Sequence, residues 1–245
     1  MTRLAFITGA SSGIGQALAW RYHQAGWRLA LVARRTGEIA RWAEAQGLPP
    51  DRWHAYGADV SDTDSIVAAG RDCLARQGVP DTVIANAGIS IGIDSAVRAD
   101  LDVLARIYAT NNVGLAATFH PFIEPMAARG SGRLAGIASV AGIRGLPGHG
   151  GYCSSKAAVI SYCESLRGEL RSSGVRVVTI APGTYTYNGL AHTPASVSGF
   201  ITGLYVVATP IGNLADLSLR ALHVLQLADA LGRPGVGLAA QAASA

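Results

Sequence analysis

Tyr152 and Lys156 stand four residues apart in the stretch GYCSSKAAVI, and Lys156 is the only lysine in a chain with 20 basic residues. Read as helix, the stretch puts both side chains on one face, because residues four apart are neighbours there. A phenol ionises near pH 10 and is a poor proton donor or acceptor at neutrality. Bringing it near 7 takes about 4 kcal/mol. One positive charge ~4 Å away supplies that much at an effective dielectric of about 20. An ammonium is compact and carries three donors, whereas the arginine fork is broad and planar. Ser139, thirteen residues before the tyrosine in GIASVAG, adds a hydroxyl able to donate to a carbonyl oxygen. The chemistry these three residues suit is proton transfer at a polarised C–O group.

The surrounding pattern alternates short apolar runs with helical stretches. RLAFIT leads into Gly9, and GIGQALAWRYHQAG follows with Ile14, Leu18, Ala19 and Tyr22 at helical spacing before a stop at Gly26. RLALVA, WHAYGADV, DTVIANAG, RLAGIAS and VRVVTIAPG read as five further strands. Between them lie GEIARWAEAQG, a helix up to Gln77 opened by a capping-box-like Ser61 and Asp64, the mainly helical stretch from Leu101 to Met126, and GYCSSKAAVISYCESLRGELRSSG. Strands joined through helices of this length pair in parallel, since each crossover packs a helix on a sheet face. The predicted fold is a doubly wound parallel α/β sheet, a Rossmann fold, whose ligands sit at the carboxyl ends of the strands.

That edge carries a second set of residues. TGASSGIG, between the first strand and helix, brings Gly9, Ser11, Ser12, Gly13, Ile14 and Gly15 there. The first glycine permits a sharp turn, and the next two let a dinucleotide pyrophosphate approach the backbone at the positive end of the helix. The second strand ends in LVARR, with no acid for ribose hydroxyls. Arg34 and Arg35 suit a 2′-phosphate instead, so the expected cofactor is NADP(H). Asp59 and Val60 follow the third strand, and Asn86, Ala87 and Gly88 the fourth. Asp59 can accept from an adenine amino group, and Gly88 leaves room beside a ribose. Lys156 then has two tasks, tuning Tyr152 and gripping ribose hydroxyls, and a point charge serves both.

Composition narrows the classes. Hydrophobic residues make up 49% and charged residues 15%, a globular balance. The formal charge of +4 comes from scattered arginines without a basic run, which argues against a nucleic-acid partner. Cys73, Cys153 and Cys163 form no CxxC pair and suit a reducing cytosol. Six histidines without ligand spacing give no metal site. No run approaches the ~18 apolar residues of a membrane span, and Met1 leads straight into a strand pattern without a signal peptide. The expectation is a cytoplasmic protein acting on a small molecule.

TGASSGIG, NAG, the Ser139-to-YCSSK spacing and APG occur in one order, and with them the chain from about Met1 to Gly183 resembles a classical short-chain dehydrogenase/reductase. The resemblance implies a catalytic tetrad of Asn111, Ser139, Tyr152 and Lys156. Within TNNVG, the family's Asn-x-x-Gly pattern with Gly114 selects Asn111 over Asn112. Asn111 is implied to interrupt its helix and to hold a water that relays protons to the lysine. Pro182 and Gly183 are implied to turn beside the nicotinamide amide. The implied reaction exchanges hydride between NADP(H) and a carbonyl compound or secondary alcohol, with the oxygen between Ser139 and Tyr152 and the tyrosine as general acid and base. Cys153 reads as packing. The implied assembly is a homodimer through the long helices near Asn111 and Tyr152, with a tetramer left open.

Beyond Gly183 the pattern departs. The family's threonine five residues after the proline is Tyr187 here, with Thr186 one place early, and NGLAHTPASVSG is short for a substrate lid. LYVVATPIGNLADLSLRAL, within about residues 203–230, is similar instead to the first strand, loop and helix of tetrapyrrole-methylase-like ribosomal RNA 2′-O-methyltransferases, which use S-adenosylmethionine. One strand and one helix fall short of the ~100 residues such a domain needs. The expected organisation is an NADP-binding catalytic domain over 1–199 and an atypical segment over 200–245, in which LYVVA suits a seventh strand. Two other classes stay open: a cofactor-binding protein with little turnover, and an S-adenosylmethionine-binding fragment. Ile143, Leu146, Tyr185 and Leu190 point to a hydrophobic carbonyl substrate.

Overall fold

Strand after strand is apolar at nearly every position because helices cover both faces of the sheet. The computed structural model describes residues 2–182 together with the backbone of three short strands beyond them. Six strands, β1 (Leu4–Thr8), β2 (Arg28–Ala33), β3 (Trp53–Gly57), β4 (Thr82–Ala85), β5 (Gly132–Ile137) and β6 (Val175–Pro182), pair in parallel in the order β3-β2-β1-β4-β5-β6. The helices are α1 (Gly13–Gln24), α2 (Thr36–Ala45), α3 (Thr63–Gln77), α4 (Asp100–Tyr108), α5 (Gly114–Arg129) and α6 (Gly150–Glu169). Successive side chains of β1 divide between two cores. Leu4 and Phe6 join Ile66 of α3, Phe119 and Phe122 of α5 and Val159 of α6. Ala5 and Ile7 join Leu18 and Tyr22 of α1 and Ile39 of α2.

Beyond Pro182, β7 (Thr186–Tyr187) and β8 (Leu190–Ala191) pair antiparallel, and β9 (Leu204–Val207) pairs in parallel with β6, Thr179 opposite Leu204. The start of the LYVVA stretch thus lies along β6 as a seventh strand. Gly183, Tyr185 and the rest of the stretch with the methyltransferase resemblance lie outside the described residues. No helix among the described residues is long and apolar enough to cross a membrane.

Two local features differ from the sequence pattern. The helix read from Leu101 to Met126 is broken by a single π-helical turn at Ala109–Val113, with Asn111 inside it, the interruption that the family resemblance implies at this residue. The cap of α3 is Asp62 rather than Ser61: its carboxylate accepts from the amides of Asp64 and Ser65 at 3.1 and 3.2 Å. Ser61 is turned away, its hydroxyl donating to Asp59 at 2.7 Å. The strand order reverses at β1, between β2 and β4, and a crevice opens there at the carboxyl edge.

Candidate active site

The crevice is a cleft of about 790 Å³. Gly9, Ser11, Ser12 and Ile14 line it from the β1–α1 turn, and Arg34 and Arg35 from the end of β2. Asp59 and Val60 reach it from the end of β3, and Asn86, Ala87 and Gly88 from the end of β4. Gly9 and Gly13 have φ of 66° and 57°, which side-chain-bearing residues resist. Gly15 also serves packing. A Cβ there would strike the Gly9 carbonyl and stand 2.7 Å from Asn86 Nδ2, so this glycine lets α1 lie against the end of β1. Ser12, the N-cap of α1, makes no side-chain cap bond. The first amides of the helix therefore have no side-chain cap at the cleft, as an anionic diphosphate requires.

Charge at the far end is distributed over two pairs. Arg34 lies 3.7 Å from Asp59 and Arg35 2.8 Å from Glu38. Hydrogen bonds from Ser61, with help from Arg34, hold the Asp59 carboxyl below its ordinary range. Thr8, which the sequence did not mark, ties the NAG turn to β1: its Oγ1 accepts from the amides of Asn86 and Ala87 at 3.0 and 3.1 Å. Asn86 Nδ2 donates to the Thr8 carbonyl at 2.9 Å.

Lys156 is 4% exposed, and its ammonium donates to the Ile137 carbonyl at 2.7 Å. It lies 5.8 Å from the centroid of the Tyr152 ring, the neighbour the helical spacing predicts. Burial pulls the lysine down from its ordinary value of 10.5 to about 8. Among the described residues one hydrogen bond is found for an ammonium with three donors. Gly88 stands in front of it: a Cβ there would meet Lys156 Nζ at 3.3 Å and Asn111 Oδ1 at 3.1 Å.

The Asn111 side chain is committed to holding the site together. Its Oδ1 accepts from the Ile89 amide at 2.8 Å, and its Nδ2 donates to the Ile89 carbonyl at 3.0 Å and to Ser155 Oγ at 2.9 Å. Ser155 Oγ in turn donates to the Tyr152 carbonyl at 2.8 Å. Asn112 also reaches α6, its Nδ2 donating to the Ser155 carbonyl at 2.8 Å. Both asparagines of TNNVG thus bind the helix that carries Tyr152.

Ser139 comes to this helix through a close contact. The turn that it caps, Val140–Gly142, presses on α6, and a Cβ on Gly142 would stand 2.6 Å from the Lys156 carbonyl carbon. Ser139 Oγ accepts from the Ala141 amide at 3.1 Å, and its longer contact, 3.5 Å, is to the Pro182 carbonyl. Cys153 is buried and its Sγ accepts from the Leu146 amide at 3.3 Å, a packing and anchoring role. Pro182 ends β6 on the same edge.

Residues 3–193 match the family model described as short chain dehydrogenase. The chain belongs to the short-chain dehydrogenase family. An uncharacterized oxidoreductase of Myxococcus xanthus is 38% identical over 184 residues, covering 74% of this chain and 71% of that one. A 2-dehydro-3-deoxy-L-rhamnonate dehydrogenase (NAD(+)) of a Sphingomonas strain is 32% identical over 226 residues, 92% of this chain and 88% of that one. Among solved structures, a short-chain dehydrogenase from Streptomyces avermitilis superposes with a TM-score of 0.76 at 25% identity, covering 92% of this chain and 84% of that one. This short-chain dehydrogenase is an oxidoreductase scaffold in which Ser155 and Gly142 pack the helix of the tyrosine–lysine pair and Thr8 holds the NAG turn. Each is a small residue whose role depends on a distant partner, and only the three-dimensional contacts reveal it.

Proposed function

We propose that the chain is an NADP(H)-dependent oxidoreductase exchanging hydride between a nicotinamide and a carbonyl compound or secondary alcohol, with Tyr152 as general acid and base. The observation that carries this reading is the buried Lys156 ammonium, beside the Tyr152 ring and directly behind Gly88, which lines a cleft suited to a dinucleotide. Uncapped α1 amides suit a diphosphate, Arg34 and Arg35 a 2′-phosphate, and the spare donors of Lys156 ribose hydroxyls.

When bound, the reduced cofactor supplies a hydride to the carbonyl carbon. Ser139 Oγ accepts from Ala141, and its proton, held only by the long 3.5 Å contact to the Pro182 carbonyl, can turn to the carbonyl oxygen of the substrate. Tyr152 gives its proton to the same oxygen as negative charge builds there. Lys156 holds a positive charge beside the phenolate left behind. Oxidation of an alcohol runs through the same residues in reverse. Exposed Ile143 and Leu146, in the loop between Ser139 and α6, favour an apolar substrate. Exposed Leu101, Val113 and Tyr162, on α4, the π-turn and α6, suit coverage by a second copy of the chain. A non-catalytic cofactor binder and an S-adenosylmethionine-binding fragment have no observation in their favour among the described residues.

The test pairs wild type with Tyr152→Phe against a panel of aldehydes and ketones, following NADPH oxidation. Turnover should fall by roughly 10²–10⁴ in the variant, while NADPH binding is retained. Equal turnover in both proteins would remove Tyr152 from the mechanism.

A further inference from the structure

Three arginines line the cleft, and the sequence pattern singles out two of them. Arg34 and Arg35 each have a carboxylate nearby, Asp59 and Glu38. The third, Arg106, comes from the last turn of α4. Its own helix offers a partner in Asp102, since an acid four residues before an arginine is the favoured order for a helical pair. Asp102 is engaged with Arg98 instead, at 3.5 Å, on the preceding turn. Among the described residues no carboxylate lies within ion-pair distance of Arg106. Ala109 and Thr110, within about a turn of Arg106, line the same cleft, so this side of α4 is the one turned to it.

Packing ties the helix that continues from Arg106 to one end of the cleft. A Cβ on Gly114 would stand 2.5 Å from the Val60 carbonyl, so the junction of α4 and α5 leans on the loop after β3. That loop carries Asp59 and Val60, at the adenosine end. Arg34 and Arg35 reach this end from β2, a different wall.

We propose that Arg106 is a further cofactor-binding residue, whose guanidinium lies against the adenine ring of a bound nicotinamide dinucleotide. This rests on the reading of the cleft as a dinucleotide site. A planar, weakly hydrated cation stacks well on an aromatic face. Adenine is common to NADPH and NADH, so Arg106 sets the affinity for both, whereas Arg34 and Arg35 choose between them.

Calorimetric titration of wild type, Arg106→Ala and Arg34→Ala with NADPH, NADH and 5′-AMP tests this. Arg106→Ala should weaken all three ligands to a similar degree, roughly three- to tenfold, and Arg34→Ala should weaken NADPH selectively. Unchanged affinities in Arg106→Ala would overturn the assignment. So would a loss confined to NADPH, which places the residue on the 2′-phosphate, or a loss that spares 5′-AMP. Wild type binding neither dinucleotide would instead refute the reading of the cleft, and the inference with it. Arg106 is exposed, so the ligand-free melting temperature of the variant should match wild type and exclude misfolding.

Discussion

Replacing Lys156 by methionine isolates the cost of burying one ammonium. The lysine is nearly enclosed, and burial brings it from 10.5 down to about 8. Below pH 8 both the folded and unfolded chains hold the proton, and the folded state bears the full penalty. Between about 8 and 10.5 the unfolded chain binds more protons than the folded one, so the stability of wild type rises with pH through that window. The gap corresponds to about 3 kcal/mol at 1.36 kcal/mol per pH unit. For a chain of this size that is roughly 6–12 °C in melting temperature.

Lys156→Met lacks the proton and therefore lacks this rise. The assay is urea unfolding of both proteins in steps from pH 7 to 10.5, reading the difference in unfolding free energy. Other titrations largely cancel in that difference. Cys163, whose charge acts on the lysine, is pushed up by burial to about 11 in the folded chain, mostly above the window, and its unfolded titration is common to both proteins. Wild type should gain about 3 kcal/mol on the variant across the range. Parallel profiles would show that the ammonium is not buried at a cost, and the case for its spare donors would fail with it.

Arg34→Asp should reverse the preference between NADPH and NADH and weaken NADPH at least tenfold, as expected for losing a charged hydrogen bond; binding titrations with both cofactors check it. Gly142→Ala places a methyl group 2.6 Å from the Lys156 backbone, which cannot give way as a side-chain tip can. The turn should shift, costing about 1–3 kcal/mol by denaturant unfolding and lowering kcat with little change in NADPH affinity, because Ser139 moves and the cleft does not.

The sequence made the reacting pair readable because its geometry is local. Tyr152 and Lys156 share a helix face whatever the rest of the chain does, and a single lysine among arginines marks the position. The alternation of strands and helices was equally open to reading, since each apolar run is buried on both faces. What stayed hidden is what joins one element to another. Ser155 reads as a neutral helix residue until Asn111, 44 positions away, is found donating to it. Thr8 reads as the end of a strand until the amides 78 and 79 positions on are found against its hydroxyl. Gly15 reads as a phosphate-loop glycine, and the Gly9 backbone packed against it does not show in the spacing. Arg106 reads as one arginine on a charged helix, and only the capture of Asp102 by Arg98 sets it apart.

The strain on Lys156 also bears on how a ligand binds. A buried ammonium with one acceptor among the described residues gains when hydroxyls arrive to take its remaining protons. A ligand that supplies them prefers the charged form, so the lysine in the complex should titrate above the value near 8 found without ligand. Linkage then requires proton uptake on NADPH binding as the pH passes 8, and an affinity that is highest below 8 and declines above it. Calorimetry at pH 8.5 in two buffers of different ionisation enthalpy reads this directly: the apparent binding enthalpies should differ by the fraction of a proton taken up multiplied by the difference between the two ionisation enthalpies. Lys156→Met should abolish that difference even where it still binds NADPH. A buffer-independent enthalpy in wild type would mean that the ligand leaves the ammonium as it found it, and that the lone lysine serves the tyrosine alone.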